Sequence, residues 1–369
     1  MHAFNRWVSR GALLLAVVAA GFAPLAHARN DNAYAVRALV SDGTVPGTTN
    51  DPLLVNPWGV AFNPQGFVWV ANNATGSSTL YDGNGVKNAL EVSIPNGKPT
   101  GITFNATQEF QVTNGTATGV AAFIFVTENG IVAGWSPAVD RTHALIAADS
   151  SGAGAIYKGV AIAASADGNR LYAADFHNAR IDVFDAAFTP LTLPAGAFTD
   201  PELPAGFAPF NVMNIGGELF VAYAKQDAEG EDEVAGHGLG IIDVYDADGT
   251  LSRRLVTRGQ LNAPWGMALA PADFGRFSGM LLVANFGDGT INAYDPQTGE
   301  FRGTLRDAAH RRIVIDGLWG IAFGNGIRDQ PVNTLFFAAG PDDETHGVYG
   351  RIDVDTSDDH RGHGHDGEE

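Results

Sequence analysis

Short apolar runs separated by Gly, Pro and Asp fill the chain, and no stretch shows the apolar spacing of a long amphipathic helix. Six segments share one order: a turn residue, a large side chain, Gly, and then alternating apolar residues. They begin at Pro57, Pro99, Tyr157, Pro209, Pro264 and Leu318. In the fourth segment Asn211 takes the place of Gly, and we interpret this position as one that needs a positive φ. The repeat predicts six structural units that each begin with a β-strand.

Further strands follow the first strand of each predicted unit: three in the first five units and two in the sixth. The second strands are apolar and cover residues 68–71, 123–127, 171–174, 219–222, 281–284 and 335–338. A third strand mostly runs into an Asp-rich turn, as at residues 180–185, and a more polar fourth strand, such as residues 88–94, leads onward. Four antiparallel strands repeated every ~40–60 residues are typical of β-propeller blades. We therefore predict an all-β, six-bladed β-propeller over residues 29–355.

The sixth unit lacks an outer strand, because the sequence turns charged after its third strand. Tyr34–Ser41 lies ahead of the first unit and has the alternation of a strand. We predict that this amino-terminal strand completes the sixth blade and closes the ring, since closure leaves no exposed sheet edge.

Both ends of the chain differ from the repeat. Residues 1–28 combine two arginines, an apolar run over residues 11–23 and a small-residue cleavage motif, which together predict a secretory signal. An uncleaved membrane anchor is the alternative. We expect a periplasmic or extracellular protein whose mature form has no membrane span. Residues 356–369 contain no apolar side chain and predict a disordered tail, whose histidines are either solvated or metal ligands.

The composition narrows the range of partners. The net charge is −19, with 41 acidic and 22 basic residues, and a surface of that sign repels nucleic acid and anionic lipid. Cations are its natural counterpart, although acidity also serves solubility alone. The chain has no cysteine, which excludes thiolate chemistry and disulfides. A small molecule, a glycan or a protein of the cell envelope is the expected partner.

Propeller geometry brings the starts of the first strands and the ends of the second strands to one mouth of the central channel. The residues at the first-strand starts are Trp58, Thr100, Lys158, Phe210, Trp265 and Trp319. Those at the second-strand ends are Asn72, Glu128, Asp175, Tyr223, Asn285 and Ala339. We predict that a ligand contacts Trp58, Lys158, Tyr223, Trp265 and Trp319; packing between blades is the alternative for the tryptophans.

Four of the second-strand ends carry carboxylate or amide oxygens: Asn72, Glu128, Asp175 and Asn285. Oxygen ligands that converge on an axis suit a hard cation. We therefore predict that this set binds Ca²⁺ or another divalent cation. The alternative is that Asn and Asp side chains at strand ends only stabilise turns.

Two loops that follow second strands are longer and more charged than a strand connection requires. The fourth-unit loop covers residues 224–238 and includes Asp227. The sixth-unit loop covers residues 340–347 and contributes Asp342, Asp343, Glu344 and His346. We predict that both loops line the ligand site; solvated insertions are the alternative. The sequence contains no Gly-x-Ser-x-Gly, His-Glu-x-x-His or phosphate-binding Gly-x-x-x-x-Gly-Lys motif, and it nominates no catalytic residue.

Residues 171–185, LYAADFHNARIDVFD, resemble an NHL repeat, and residues 283–291 are a looser match. Over the mature chain, residues 56–59, 223–227, 262–266 and 340–347 resemble a family of exported bacterial propeller proteins of unknown function. The chain is also similar to gluconolactonase-like propellers, which hold a divalent ion on the axis with Glu, Asn and Asp. Their Glu comes from the first inner strand, where this chain has Pro57-Trp58-Gly59.

The absence of a complete catalytic set favours a binding or interaction module that uses the channel mouth. The alternative is a divalent-metal-dependent hydrolase or lyase of the lactonase-like type, which the resemblance to gluconolactonases implies.

Overall fold

The computed structural model describes residues 33–356, which contain 26 strands and two short 3₁₀ helices, Ser151–Ala153 and Gly275–Phe277. The predicted secretory signal lies outside the described residues, as does the predicted tail apart from residue 356. Within residues 33–356, no helix is long and apolar enough to cross a lipid bilayer.

The strands are short apolar or alternating segments between turns rich in Gly, Pro and Asp, as the sequence predicts. The first eight are β1 (Tyr34–Ser41), β2 (Thr49–Asn50), β3 (Pro57–Phe62), β4 (Val68–Asn72), β5 (Ser77–Tyr81), β6 (Lys87–Ser93), β7 (Pro99–Phe104) and β8 (Gln111–Thr113). The next nine are β9 (Thr118–Val120), β10 (Phe123–Thr127), β11 (Ile131–Trp135), β12 (Leu145–Asp149), β13 (Tyr157–Ser165), β14 (Gly168–Asp175), β15 (Arg180–Phe184), β16 (Phe207–Ile215) and β17 (Glu218–Lys225). The last nine are β18 (Gly240–Tyr245), β19 (Leu251–Thr257), β20 (Pro264–Leu269), β21 (Leu281–Asn285), β22 (Ile291–Tyr294), β23 (Phe301–Thr304), β24 (Leu318–Phe323), β25 (Leu335–Ala339) and β26 (Val348–Val354).

Six sheets form the blades of a propeller. Five of the sheets run outward from the inner strand in chain order, as in β3-β4-β5-β6 and β20-β21-β22-β23, and the sixth has the order β24-β25-β26-β1-β2. The inner strands β3, β7, β13, β16, β20 and β24 each contact the inner strands of both neighbouring blades, and β24 contacts β3. The predicted six-bladed, all-β fold is therefore confirmed. The sequence did not predict β2 or the small hairpin of β8 and β9.

A register shift marks every inner strand at the point where it pairs with the second strand. The shift lies between Pro57 and Val60 in the first blade and between Leu318 and Ile321 in the sixth, and the other four blades repeat it. Such a bulge turns the side chains at that point away from the regular alternation. Trp58, Trp319 and their equivalents lie within these bulges.

The residue after each of these side chains is small because the inner strands pack closely, not because of its φ. None of the five glycines has a positive φ, and neither has Asn211. The prediction of a left-handed backbone at this position is therefore wrong. A Cβ on Gly320 would lie 2.4 Å from the carbonyl oxygen of Trp58 in the next blade. Asn211 instead donates from Nδ2 to the carbonyl oxygen of Trp265 at 2.8 Å, which links the fourth blade to the fifth.

Apolar clusters fill the spaces between neighbouring blades, and one further cluster lies on the axis. Between the first and second blades, the rings of Trp69 and Phe123 stack with centroids 4.2 Å apart. Between the sixth and first blades, Val68 packs in one cluster with Phe336. The two faces of a sheet serve two interfaces because side chains alternate along a strand. Burial of this kind stabilises a fold by about 25 cal/mol per Å² of apolar surface.

The amino-terminal strand β1 is hydrogen-bonded to the sixth blade. It pairs antiparallel with β26, from Tyr34 opposite Val354 to Ser41 opposite Val348. Its Leu39 is buried in the cluster between the sixth and first blades. That this pairing keeps the ring closed stays a prediction.

Candidate functional site

The tryptophans predicted at the channel mouth pack against one another on the axis. The rings of Trp58 and Trp319 stack with centroids 3.4 Å apart, and the ring of Trp265 meets both edge-on at 5.9 and 5.8 Å. All three are buried, and Phe176 and Phe210 extend the cluster. The bulges bring these side chains together, and in this arrangement they pack between blades rather than present open faces to a ligand.

Lys158 lies beside this aromatic cluster and carries the charge at its edge. Its side chain is 1% exposed, and its Nζ lies 5.1 Å from the ring centre of Trp58. Nζ donates to Oε1 of Glu128 at 2.6 Å and to Oδ1 of Asp232 at 3.1 Å. Burial lowers the pKa of a lysine, but the charges of Glu128 and Asp232 outweigh it here and raise the pKa of Lys158.

Carboxylates from three blades surround this ammonium group, and we call Lys158, Glu128, Asp232, Glu233 and Glu344 the axial acidic site. Glu128 follows β10, Asp232 and Glu233 lie in the loop after β17, and Glu344 lies in the loop after β25. The charge of Glu344 interacts with those of Glu128, Lys158 and Asp232. The two charged loops predicted to open on this mouth therefore meet there.

The carboxyl groups of the axial acidic site differ in proton affinity. Burial raises the pKa of Glu128, but the charge and hydrogen bond of Lys158 and a hydrogen bond from Asn73 outweigh it, so the pKa lies below its usual value. Burial raises the pKa of Glu233 to about 8, although Lys158 opposes the shift. Burial and the charge of Glu128 raise the pKa of Glu344. At neutral pH, Glu233 thus holds a proton while Glu128 is ionised.

The sixth-blade loop reaches the site through an unusual backbone. Asp342, Asp343 and Glu344 have consecutive φ angles of 58°, 51° and 64°, and non-glycine residues adopt this left-handed conformation at a cost of about 1–2 kcal/mol each. Thr345 Oγ1 donates to the carbonyl oxygen of Asp342 at 2.6 Å. Oε1 of Glu344 is buried and accepts no hydrogen bond from the described residues. Strain of this kind gathers at functional sites.

The other residues predicted on the two loops lie around the site. Asp227 accepts a hydrogen bond from the backbone of Glu231 within its own loop, and Asp343 is exposed to solvent. Nδ1 of His346 lies 2.7 Å from Oδ2 of Asp42, which ties the sixth-blade loop to the chain after β1. The backbone N–H of Asp342 donates to Oδ2 of Asp316 at 2.9 Å. These contacts hold the loops in place.

The four side chains predicted to bind a cation are not brought together. Asn72, Asp175 and Asn285 end β4, β14 and β21, opposite the first-strand residues Pro57, Tyr157 and Pro264. The equivalent of these three in the second blade is Thr127, opposite Pro99, so Glu128 is one residue further along. Since side chains alternate along a strand, this offset turns Glu128 to a different face.

The three strand-end residues bond to the hairpins and neighbouring loops of their own blades. Nδ2 of Asn72 donates to Thr79 Oγ1 at 2.9 Å, and Nδ2 of Asn285 donates to the carbonyl oxygen of Gln260 at 2.7 Å. Asp175 Oδ2 accepts from Nδ2 of Asn178 at 2.8 Å. Within residues 33–356, no three His, Asp or Glu side chains are grouped as metal ligands. A divalent-cation site at this set stays a prediction without support from the geometry.

Tyr223 also differs from its predicted place at the mouth. Its side chain is buried in the cluster between the third and fourth blades, and its hydroxyl group lies 2.8 Å from that of Tyr245. It is the fourth-blade equivalent of Asn72, opposite Pro209, and it therefore shares the face of that residue rather than the axis.

The residues that the sequence prediction missed are one position beyond the strand ends. Asn73 donates from Nδ2 to Oε2 of Glu128 at 3.0 Å, and Phe176 and Phe286 pack on the axial tryptophans. Once the strand pairing is known, the second strands can be aligned at the residue that pairs with each first-strand start. Asn73, Glu128, Phe176 and Phe286 then occupy equivalent positions. Glu233 lies in the acidic run of the fourth-unit loop, but no pattern distinguishes it from its neighbours.

Comparison with solved structures agrees with the fold. A protein of unknown function from Bacteroides thetaiotaomicron matches with a TM-score of 0.55 and 12% identity, over 87% of this chain and 76% of the other. Virginiamycin B lyase from Staphylococcus aureus matches with a TM-score of 0.49 and 14% identity, over 87% of this chain and 99% of the other. At these identities the first likeness shows the propeller fold alone.

Comparison of sequences gives the family. No profile of a known protein family matches the chain. The uncharacterized protein R648 of Acanthamoeba polyphaga mimivirus is 36% identical over 341 residues, which make up 89% of this chain and 82% of the relative. This relative is viral, so the bacterial family that the resemblance implied is not what the comparison finds. The chain belongs to the family of propeller proteins that includes mimivirus R648.

Proposed function

We propose that this protein is an exported binding module that recognises a positively charged ligand at the axial acidic site. The charge balance around Lys158 supports this most: the carboxylates of Glu128, Asp232 and Glu344 surround one buried ammonium group. An excess of carboxylate in a concave site attracts cations and raises their local concentration. The signal pattern of residues 1–28 supports export.

Two features leave this site able to accept a ligand. The side chain of Asp232 is 71% exposed although it contacts Lys158. Glu344 has a buried carboxylate oxygen that accepts no hydrogen bond from the described residues. An ammonium or guanidinium group supplies donors for both carboxylates, and a divalent cation supplies charge.

The aromatic cluster determines how deep such a ligand enters. Trp58, Trp265 and Trp319 are buried against one another. A separate cavity of about 130 Å³ lies further along the inner strands, where Val60, Ile102 and Met267 line it. A ligand at the mouth therefore contacts the loops of the second, fourth and sixth blades before it reaches an indole ring.

Titration calorimetry with spermidine as the cationic probe tests this function. We expect wild-type protein to bind spermidine at low ionic strength, and Glu344→Gln or Asp232→Asn to weaken binding about five- to tenfold, or about 1–1.4 kcal/mol. Asp343→Asn is the matched control, because Asp343 is the exposed neighbour of Glu344. Absence of binding by the wild type, or an equal loss in Asp343→Asn, contradicts the proposal.

A hydrolase or lyase is the second candidate, and one observation favours it. Glu128 and Glu233 lie around the same ammonium group with pKa values shifted in opposite directions. Carboxyl groups separated in this way are suited to act as base and acid. Proton transfer between the substrate and Glu233 is the step this arrangement supports.

Hydrolysis of simple lactones, with and without EDTA, separates the two candidates. Turnover that Glu233→Gln abolishes and Glu231→Gln leaves unchanged indicates an enzyme. A parallel calcium titration tests the predicted cation set, because loss of binding in Asp175→Ala but not in Glu344→Gln favours that set. Spermidine binding without turnover favours the binding module.

A further inference from the structure

The outer edge of the fifth blade carries four arginines in one pocket, which we call the arginine pocket. Arg276, Arg302, Arg306 and Arg312 line it together with Gln260, and its volume is about 330 Å³. Its lining, taken from the described part of the chain, includes no Asp or Glu. The chain has only 22 basic residues against 41 acidic ones, so composition does not account for this concentration of positive charge.

Most of this charge has no carboxylate partner among residues 33–356. Arg302 contacts Asp295 Oδ2 at 3.1 Å and Glu300 Oε2 at 3.2 Å. Between residues 33 and 356, no carboxylate forms an ion pair with any of the other three arginines. Nη1 of Arg306 donates to the carbonyl oxygen of His310 at 2.7 Å.

The turn that joins two of these arginines places like charges opposite each other. Arg306 and Arg312 face one another in an antiparallel bridge, where like charges are destabilising. The carboxylate of Asp307, in the same turn, accepts from Nε of Arg311 at 2.8 Å. Asp307 is thus paired with Arg311, and it does not neutralise Arg306 and Arg312, which face the pocket.

We propose that the arginine pocket binds a small, multiply charged oxyanion of the phosphate type. The planar guanidinium group presents a fork of donors that matches the oxygens of phosphate and sulfate. The net charge of −19 repels long polyanions and anionic membranes. A small anion in the pocket lies within a Debye length, about 8–10 Å, of the arginines, and charges farther away are largely screened. This site is on the outer strands, separate from the axial acidic site.

Titration calorimetry with sodium pyrophosphate at low ionic strength tests the proposal. We expect wild-type protein to bind one pyrophosphate, and the double variant Arg306→Gln/Arg312→Gln to bind at least tenfold more weakly. Arg311→Gln is the matched control, since Arg311 is adjacent in sequence but paired with Asp307. Thermal unfolding shows whether the double variant is folded. We expect pyrophosphate to raise the melting temperature of the wild type and of Arg311→Gln but not that of the double variant.

Three results overturn the proposal. The first is a wild-type protein that shows neither heat of binding nor a shift in melting temperature. The second is a double variant that binds as the wild type does, or a control that loses binding equally. The third is a protein that sediments with phosphatidylglycerol vesicles but does not bind pyrophosphate. That result identifies a membrane surface, not a small anion, as the ligand.

Discussion

Nζ of Lys158 lies 2.6 Å from Oε1 of Glu128, and the two residues belong to neighbouring blades. Lys158 is directed to the axis by the bulge at the start of β13, and Glu128 follows the end of β10. The pair is nearly buried, with 1% and 16% of the side chains exposed. It connects the aromatic cluster of the axis with the acidic loops around it.

Removing the lysine leaves a buried carboxylate without its partner. We expect Lys158→Met to lower the free energy of unfolding by about 3–5 kcal/mol, as for other broken buried pairs. The double variant Lys158→Met/Glu128→Gln recovers part of this loss. Urea denaturation measures both, and Lys98→Met is the control, since the side chain of Lys98 is 62% exposed and its Nζ is 4.0 Å from Oε2 of Glu128. Additive losses in the double variant contradict the pairing.

We expect Glu233 to make the stability of the protein depend on pH. Its pKa is raised from 4.5 to about 8, so its contribution to stability is present below pH 4.5 and is lost as the pH rises through 8. Glu233→Gln keeps the neutral form. We expect its melting temperature, relative to the wild type, to increase by more than about 2 °C between pH 5 and pH 9. Parallel curves for the two proteins, or the same effect in Glu231→Gln, contradict this assignment.

The pairing of β1 with β26 predicts that the amino-terminal strand holds the ring together. Leu39 is 3% exposed and Val36 is 43% exposed on the same strand. We expect Leu39→Ala to cost about 2–5 kcal/mol of unfolding free energy and Val36→Ala less than about 0.5 kcal/mol. Deletion of residues 30–42 is expected to collapse the melting temperature. An unchanged melting temperature after the deletion refutes closure by this strand.

Close contact between inner strands predicts a strong effect of one added methyl group. A Cβ on Gly320 would lie 2.4 Å from the carbonyl oxygen of Trp58, a backbone atom that would have to shift. We expect Gly320→Ala to lower the melting temperature markedly. Gly152→Ala is the control, because nothing lies within 4 Å of its added Cβ. Equal melting temperatures for the two variants contradict the packing argument.

The blades follow from the sequence because their signals are local. Alternating apolar residues, Gly and Pro at fixed intervals and the repeated first-strand motif determine where each strand begins, and β3, β7, β13, β20 and β24 start where the motif predicts. The convergence of Trp58, Trp265 and Trp319 also follows from the repeat, since equivalent positions in a ring share one distance from the axis.

The candidate site follows only partly, because it depends on register and on loops. The offset between Thr127 and Glu128 appears only once the pairing of β10 with β7 is known. Glu233 and Glu344 reach the axis through two loops whose course depends on left-handed residues and on contacts far apart in the chain. Neither feature has a periodic pattern. The two charged loops can therefore be predicted from the sequence, but the side chains that reach the axial acidic site cannot.

A crystal structure of the protein with spermidine tests the central claim most directly. We predict an ammonium group of the probe within hydrogen-bond distance of Asp232 and Glu344, above a Lys158 that still contacts Glu128. Spermidine bound elsewhere, or loops of the fourth and sixth blades that lie away from Lys158, would contradict a cation-binding site on the axis.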